Sequence, residues 1–230
     1  MVLVASTEAR ILTEPVHAEP WGNRVVVGEP AAQTPLFDSA LKYIVFNPTW
    51  TVPRKIASEE LLPKIQRDNA FLDRGRYQVV DSDGNSVDAD TIDWNALASD
   101  YFPYTLVQQP GPVNELGQVK FIFPNQYAVC MHDTPSKPLF DRAQRAFSHG
   151  CIRVDRPLEL AEKLLDGEGW TRARIEQQIE SAETKSVFLA EPLPVRLAYW
   201  TADVDDRGVM HFYPDIYARD PAILELLDGP

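Results

Sequence analysis

The sequence has little of three features that mark common protein classes: cysteine, positive charge and long apolar runs. Two cysteines in 230 residues exclude a fold organised by a disulfide framework. No run reaches the roughly 18 apolar residues that indicate a transmembrane helix. The net charge of −12 argues against broad nucleic-acid binding, which needs a basic surface, and is typical of a chain whose charge keeps it in solution.

The first residues also lack the parts of a secretory signal. Residues 1–8 contain no basic segment and only a very short apolar run, so we do not expect a signal peptide there. Either the protein is cytosolic or its targeting segment lies outside this chain. The sequence contains no internal repeat and no low-complexity tract.

Apolar residues, proline and tryptophan are plentiful. Apolar side chains make up 44% of the chain, enough for a sizeable core, and 19 prolines with five tryptophans indicate a loop-rich, mostly β structure. We predict a single domain over residues 1–230. Residues 48–112, with mixed helix and loop signals, are predicted to form an insertion between its strands.

Two predicted strands precede a polar loop. They cover residues 119–123 and 127–132, around a turn at 124–126. Because side chains alternate along a strand, Cys130 and His132 are expected on one face. His132 then lies at a strand end, a position that suits the rim of an active site.

The heptapeptide 148–154 reads Ser-His-Gly-Cys-Ile-Arg-Val and has the parts of a thiolate nucleophile. A cysteine attacks as the thiolate, so an active Cys151 needs a nearby base or positive charge. Gly150 allows a substrate carbonyl to approach the backbone, and the N–H groups near Gly150 and Cys151 are candidate oxyanion donors. Ser148 belongs to the same loop. The alternative is a small buried cysteine with no chemistry.

Three further side chains have two interpretations each. His132 is either the base for Cys151 or a strand-end histidine satisfied by its neighbours. His149 is a rival base, although we expect it to order the loop by hydrogen bonding. Arg153 either binds a substrate carboxylate or pairs with an acidic neighbour.

A zinc site is the rival hypothesis for the same residues. Cys130, His132, His149 and Cys151 are the inventory of a structural zinc site, but the ligands in each pair are separated by a single residue instead of the usual two to four. It would make the chain a zinc-structured, non-catalytic module.

The Ser-His-Gly-Cys motif with an upstream histidine resembles the signature of the L,D-transpeptidase (YkuD) catalytic domain family. Other stretches resemble its large-insert branch and occur in order along most of the chain: 24–28 with 33–35, 45–53, 110–117, 119–125 and 132–137. The resemblance implies a mainly β fold with α elements (α+β). Its core would be a β-sandwich or open barrel with peripheral helices, and residues 48–112 would be a capping subdomain.

The resemblance also implies a reaction in bacterial peptidoglycan. Cys151 would attack the diaminopimelate carbonyl of a tetrapeptide stem, release D-Ala and transfer the acyl group to an amine, giving a 3-3 cross-link. His132 would act as base and then as acid, and the carbonyl of Asp133 would hold its ring. Water as acceptor would instead give a carboxypeptidase, and the same acyl-enzyme could serve an amidase.

Partners and location follow from the same resemblance. Stem peptides are the expected substrates and carbapenems the expected inhibitors, with no cofactor or metal. The expected location is the periplasm of a bacterial cell envelope, with any membrane anchor in segments absent from this chain, which looks like a catalytic fragment or a truncated form.

Cys130 departs from the family pattern. Relatives of this branch usually carry tyrosine two residues before the upstream histidine, where it can help to shape the oxyanion region. Since Cys130 shares a predicted face with His132, it is expected near Cys151. We hypothesise that oxidation joins the two cysteines and switches the enzyme off.

Overall fold

The computed structural model describes residues 2–4, 10–13, 21–68, 70–205 and 207–228. The strands are β1 (Val2–Val4), β2 (Arg10–Thr13), β3 (Trp21–Gly28), β4 (Phe37–Phe46), β5 (Trp50–Thr51), β6 (Tyr77–Val80), β7 (Ser86–Val87), β8 (Thr105–Gln108), β9 (Val119–Ile122), β10 (Met131–His132), β11 (Ala146–Ser148), β12 (Ile152–Val154), β13 (Lys185–Ala198), β14 (Ala202–Val204) and β15 (Met210–Phe212). The helices are α1 (Arg54–Ile56), α2 (Leu62–Arg67), α3 (Ala70–Arg74), α4 (Pro157–Leu164), α5 (Arg172–Glu180) and α6 (Asp220–Asp228). A π-helical turn, Ala57–Leu61, joins α1 to α2.

The large sheet has the strand order β11-β3-β12-β10-β9-β4-β13-β1-β2. An additional pairing between β2 and β3 brings its far edge back to β3, so the sheet curls on itself. The core of this sheet is a cluster of buried side chains from its strands and from α4 and α5, among them Phe46, Phe121, Leu160 and Ile175. Phe46 stacks on Trp170, with ring centroids 5.2 Å apart.

A second sheet lies within the predicted insertion. Its strand order is β5-β8-β6-β7, and α2, α3 and the π-helical turn pack against it. It has its own buried cluster, which includes Leu61, Ile65, Trp94, Phe102 and Leu106. The sequence signals missed this sheet because two of its strands are only two residues long. We call it the inserted sheet.

The strand predicted over residues 127–132 is wrong for its first four residues. Only Met131–His132 is a strand, and Ala128 has a left-handed φ of 55°. The Asn125 side chain accepts hydrogen bonds from the N–H groups of Tyr127 and Val129 and donates to the carbonyls of Phe123 and Val129. These hydrogen bonds hold residues 125–129 in a turn and take the place of the interstrand hydrogen bonds that a strand would form there.

The fold class agrees with the predicted α+β fold: strands form several sheets, and helices pack beside them. Among the described helices, none combines the length and apolar character that spanning a bilayer would require.

Candidate active site

Strand β10 organises the site because it lies between β9 and β12. It runs parallel to β12, with His132 opposite Arg153, and antiparallel to β9, with His132 opposite Lys120. The N–H of Ile152 donates to the Cys130 carbonyl at 2.9 Å. This register places Cys130 beside Cys151.

The loop that presents Cys151 is a tight turn fixed by Ser148. The Ser148 hydroxyl donates to the Cys151 carbonyl at 2.5 Å and accepts from the Gly150 N–H at 3.1 Å. Gly150 has a φ of 107°, a conformation that glycine adopts at little cost. The Gly150 N–H is therefore not a free oxyanion donor, which corrects that part of the expectation.

Two residues that the sequence interpretation did not single out anchor this loop from behind. The Thr34 hydroxyl donates to the Gly150 carbonyl and accepts from the Gly28 N–H, both at 2.9 Å. The Tyr217 hydroxyl donates to the Gly28 carbonyl at 2.7 Å and accepts from the Thr34 N–H at 3.3 Å. Both side chains are buried. The motif 33–35 was part of the family resemblance, which was the available signal for Thr34.

The two cysteines form a contact pair of free thiols. Their sulfurs are 3.6 Å apart, and the Cys130 N–H lies 3.4 Å from the Cys151 Sγ. The side-chain hydrogen bond from Cys130 lowers the pKa of Cys151 to about 7, helped by the Cys130 N–H and by the cations Lys120 and Arg153 against the opposing effect of burial. The same hydrogen bond, with burial, raises the pKa of Cys130.

His132 is buried and its ring is fixed by the backbone. Its Nδ1 is 2.5 Å from the carbonyl oxygen of Asp133, so the neutral ring carries its proton on Nδ1 and leaves Nε2 as an acceptor. Burial lowers the pKa of His132 to about 3, which keeps the imidazole neutral near pH 7. Within the described residues, no hydrogen bond joins His132 to Cys151.

The Asp133 carboxylate has a separate task. It accepts from the Gln118 N–H at 2.8 Å and forms an ion pair with Lys137. Gly117, with a φ of 61°, lies against this carboxylate so closely that a Cβ at position 117 would overlap it. The contacts of the Asp133 side chain with Gly117, Gln118 and Lys137 thus hold in place the backbone whose carbonyl binds the His132 ring.

His149 contacts the inserted region instead of Cys151. Its Nε2 lies 2.9 Å from Glu60 Oε1, and both side chains are about half exposed. Glu60 belongs to the π-helical turn, a feature that often marks functional sites. The sequence leaves His149 as a rival base for Cys151. In the structure, residues 149 and 150 form a bend and the His149 ring lies against Glu60.

Arg153 is half-buried, and its charge acts on the Cys151 sulfur. Its Nε is buried without a hydrogen-bond partner, and no carboxylate of the described residues lies within ion-pair distance. Burial lowers its pKa, while the charges of Glu115 and Cys151 act in the opposite direction. The guanidinium is thus available for an anionic ligand.

The zinc hypothesis receives no geometric support. In the described part of the chain, no three His, Cys, Asp or Glu side chains converge as a metal-ligand set. The cysteines face each other, but His132 faces a carbonyl and His149 faces Glu60.

The predicted residues thus fall into three sets. Cys151, Ser148 and Gly150 form one turn, and His132 with Asp133 and Arg153 line the adjoining strands. His149 belongs with Glu60, a partner 89 positions away that no local pattern could indicate.

Comparison with known proteins agrees with this geometry. Residues 2–175 match the model of the L,D-transpeptidase catalytic domain, YkuD. The chain is also 38% identical over 201 residues to a Haemophilus influenzae protein whose name assigns it provisionally to the L,D-transpeptidases. The match covers 87% of this chain and 40% of that protein, so the chain spans less than half the length of its relative. The chain belongs to the YkuD family of L,D-transpeptidase catalytic domains.

Proposed function

We propose that this chain is a peptidoglycan L,D-transpeptidase that works through an acyl-enzyme on Cys151. One arrangement carries the proposal: Cys151 follows a glycine in a left-handed turn, and a neutral imidazole on the neighbouring strand has its Nδ1 bound to the Asp133 carbonyl. A nucleophile, a base and a group that orients the base are the elements of acyl transfer.

In the first half-reaction, the sulfur attacks the diaminopimelate carbonyl of a tetrapeptide stem. A carbon–sulfur bond forms, the bond to the terminal D-Ala nitrogen breaks, and His132 Nε2 passes the thiol proton to that nitrogen. The Cys151 N–H would donate to the oxyanion, since the Gly150 N–H is bound to Ser148.

In the second half-reaction, the side-chain amine of another stem attacks the thioester. The carbon–nitrogen bond of a 3-3 cross-link forms, the sulfur leaves, and His132 returns the amine proton to it. Arg153 would bind a carboxylate of the stem, because its guanidinium has no ion-pair partner among the described residues.

Residues 48–112 would act as a cap on the acceptor side of this site. Their own sheet and core support a subdomain, and the contact between Glu60 and His149 brings them to the catalytic loop. The substrate would locate the working protein in the periplasm, and carbapenems would acylate the same sulfur.

The test is incubation with purified disaccharide-tetrapeptide, followed by mass spectrometry, with Cys151→Ala as the matched control. We expect a cross-linked dimer with loss of one D-Ala, absent in the variant, and a carbapenem mass adduct on the wild type alone. Loss of D-Ala without dimer would replace the proposal by a carboxypeptidase. No product and no adduct would overturn it.

A further inference from the structure

We propose that Cys130 is a second catalytic residue, whose thiol and backbone N–H donate to the Cys151 sulfur and stabilise the negative charge left on it when His132 Nε2 takes its proton. Only the role of the thiolate in acyl transfer rests on the proposed function; its stabilisation by Cys130 does not. The geometry is direct: the N–H lies 3.4 Å and the Cys130 sulfur 3.6 Å from Cys151 Sγ.

The usual source of thiolate stabilisation is missing in this site. In many cysteine enzymes a protonated histidine supplies the positive charge. Here burial keeps His132 neutral, and its Nδ1–H is committed to the Asp133 carbonyl. His149 is paired with Glu60. The thiolate must therefore be held by other groups.

Three neighbouring elements supply those groups. Cys130 precedes β10 and contributes two donors, Lys120 of β9 and Arg153 of β12 contribute positive charge, and Glu115 interacts with Arg153. Burial of the sulfur opposes the charge. Because hydrogen bonds to the charged form favour it, the direct contacts from Cys130 have the largest effect.

The direction of the contact follows from the backbone. Either thiol could donate to the other on distance alone. The Cys130 N–H, however, points at the Cys151 sulfur, and Arg153 lies two residues beyond it. Both favour charge on Cys151 and the proton on Cys130. The same donors would stabilise the sulfur again when it leaves the thioester.

The experiment measures the pH dependence of alkylation of Cys151 by iodoacetamide, with the modified peptide identified by mass spectrometry. The wild type is expected to inflect near pH 7. In Cys130→Ala the inflection should rise by about one unit, which lowers the alkylation rate at pH 6 about tenfold. Cys130→Ser, which restores a donor, should return the inflection toward the wild-type value.

Val129→Ala is the matched control, since it changes a neighbouring core side chain and leaves both sulfurs in place. Coincident profiles for the wild type and Cys130→Ala would overturn the proposal, and so would a serine variant that follows the alanine variant. Alkylation needs no peptidoglycan, so this result stands apart from the tetrapeptide assay. Thermal unfolding of each variant separates misfolding from a changed thiol.

Discussion

The large sheet and the inserted sheet differ in what they contribute to the site. The large sheet has strands of up to 14 residues and supplies the cysteines, His132 and Arg153 from adjacent strands or the residues beside them. The inserted sheet has strands of two to four residues, and the π-helical turn packed against it brings Glu60 to His149. Their buried clusters are separate. The side chains of the candidate site thus stand on a different core from the inserted sheet, and a change in one core need not reach the other.

The largest expected effect is on the large-sheet side, where oxidation should join Cys130 to Cys151. A peroxide should convert the Cys151 thiolate to a sulfenic acid, with a sulfur–oxygen bond formed and hydroxide released. The Cys130 sulfur then displaces the second hydroxide, which leaves with the Cys130 proton as water. The two sulfurs are already in contact at 3.6 Å, so a disulfide between them needs only a small displacement.

The oxidised fraction should lose all transpeptidase activity and regain it with dithiothreitol. The measurements are activity and a mass lower by two hydrogens. Cys130→Ala is the control, because it should overoxidise irreversibly instead. A free-thiol count that stays at two under peroxide, with no loss of activity, would contradict the hypothesis.

His132→Asn should lower turnover by about 10²- to 10⁴-fold, the usual contribution of a general base. The asparagine amide can still donate to the Asp133 carbonyl, so the backbone contact is kept while Nε2 is lost. The pH profile of Cys151 alkylation should change little, because other groups hold the thiolate. Steady-state kinetics and alkylation together test this, and loss of both would show that the two tasks are not separate.

Phe102→Ala tests whether the inserted sheet can fail alone. Phe102 is fully buried in its cluster, and its truncation should cost about 3–5 kcal/mol. We expect an early thermal transition and protease cleavage within residues 50–108, with Cys151 still alkylated. Phe121→Ala in the large-sheet core is the matched variant and should remove both. If Phe102→Ala instead unfolds in a single transition and loses alkylation of Cys151, the two cores form one cooperative unit.

The smallest expected effect belongs to the contact between the regions. Glu60 and His149 are about half exposed, so their pairing is worth about 0.2–1 kcal/mol. Glu60→Gln should therefore raise KM for the stem peptide by no more than about fivefold and leave the alkylation profile unchanged. Glu59→Gln removes the same charge from an adjacent exposed position and should have no effect. Equal effects in Glu60→Gln and Glu59→Gln would show that the loss of a negative charge, and not the contact between Glu60 and His149, changes KM.

The sequence could predict most of the chemical half of this comparison. The spacing of glycine, cysteine and arginine in residues 148–154 is local. The expectation that Cys130 lies near Cys151 agrees with the structure, but the strand alternation behind it does not, because β10 begins only at Met131. The role of Asn125 was missed because a side chain that replaces ladder hydrogen bonds leaves the hydrophobic pattern intact. Glu60 and Tyr217 were missed because they reach the site from distant segments.

The contact between Gly117 and Asp133 has a consequence for mutagenesis and for natural variation. A Cβ at position 117 would overlap the Asp133 side chain, and the left-handed φ of Gly117 further restricts which residues can stand there. A library that randomises position 117 alone should return glycine, and replacements should survive only where a smaller residue at position 133 has made room. Drift at one of these positions is therefore conditional on the other.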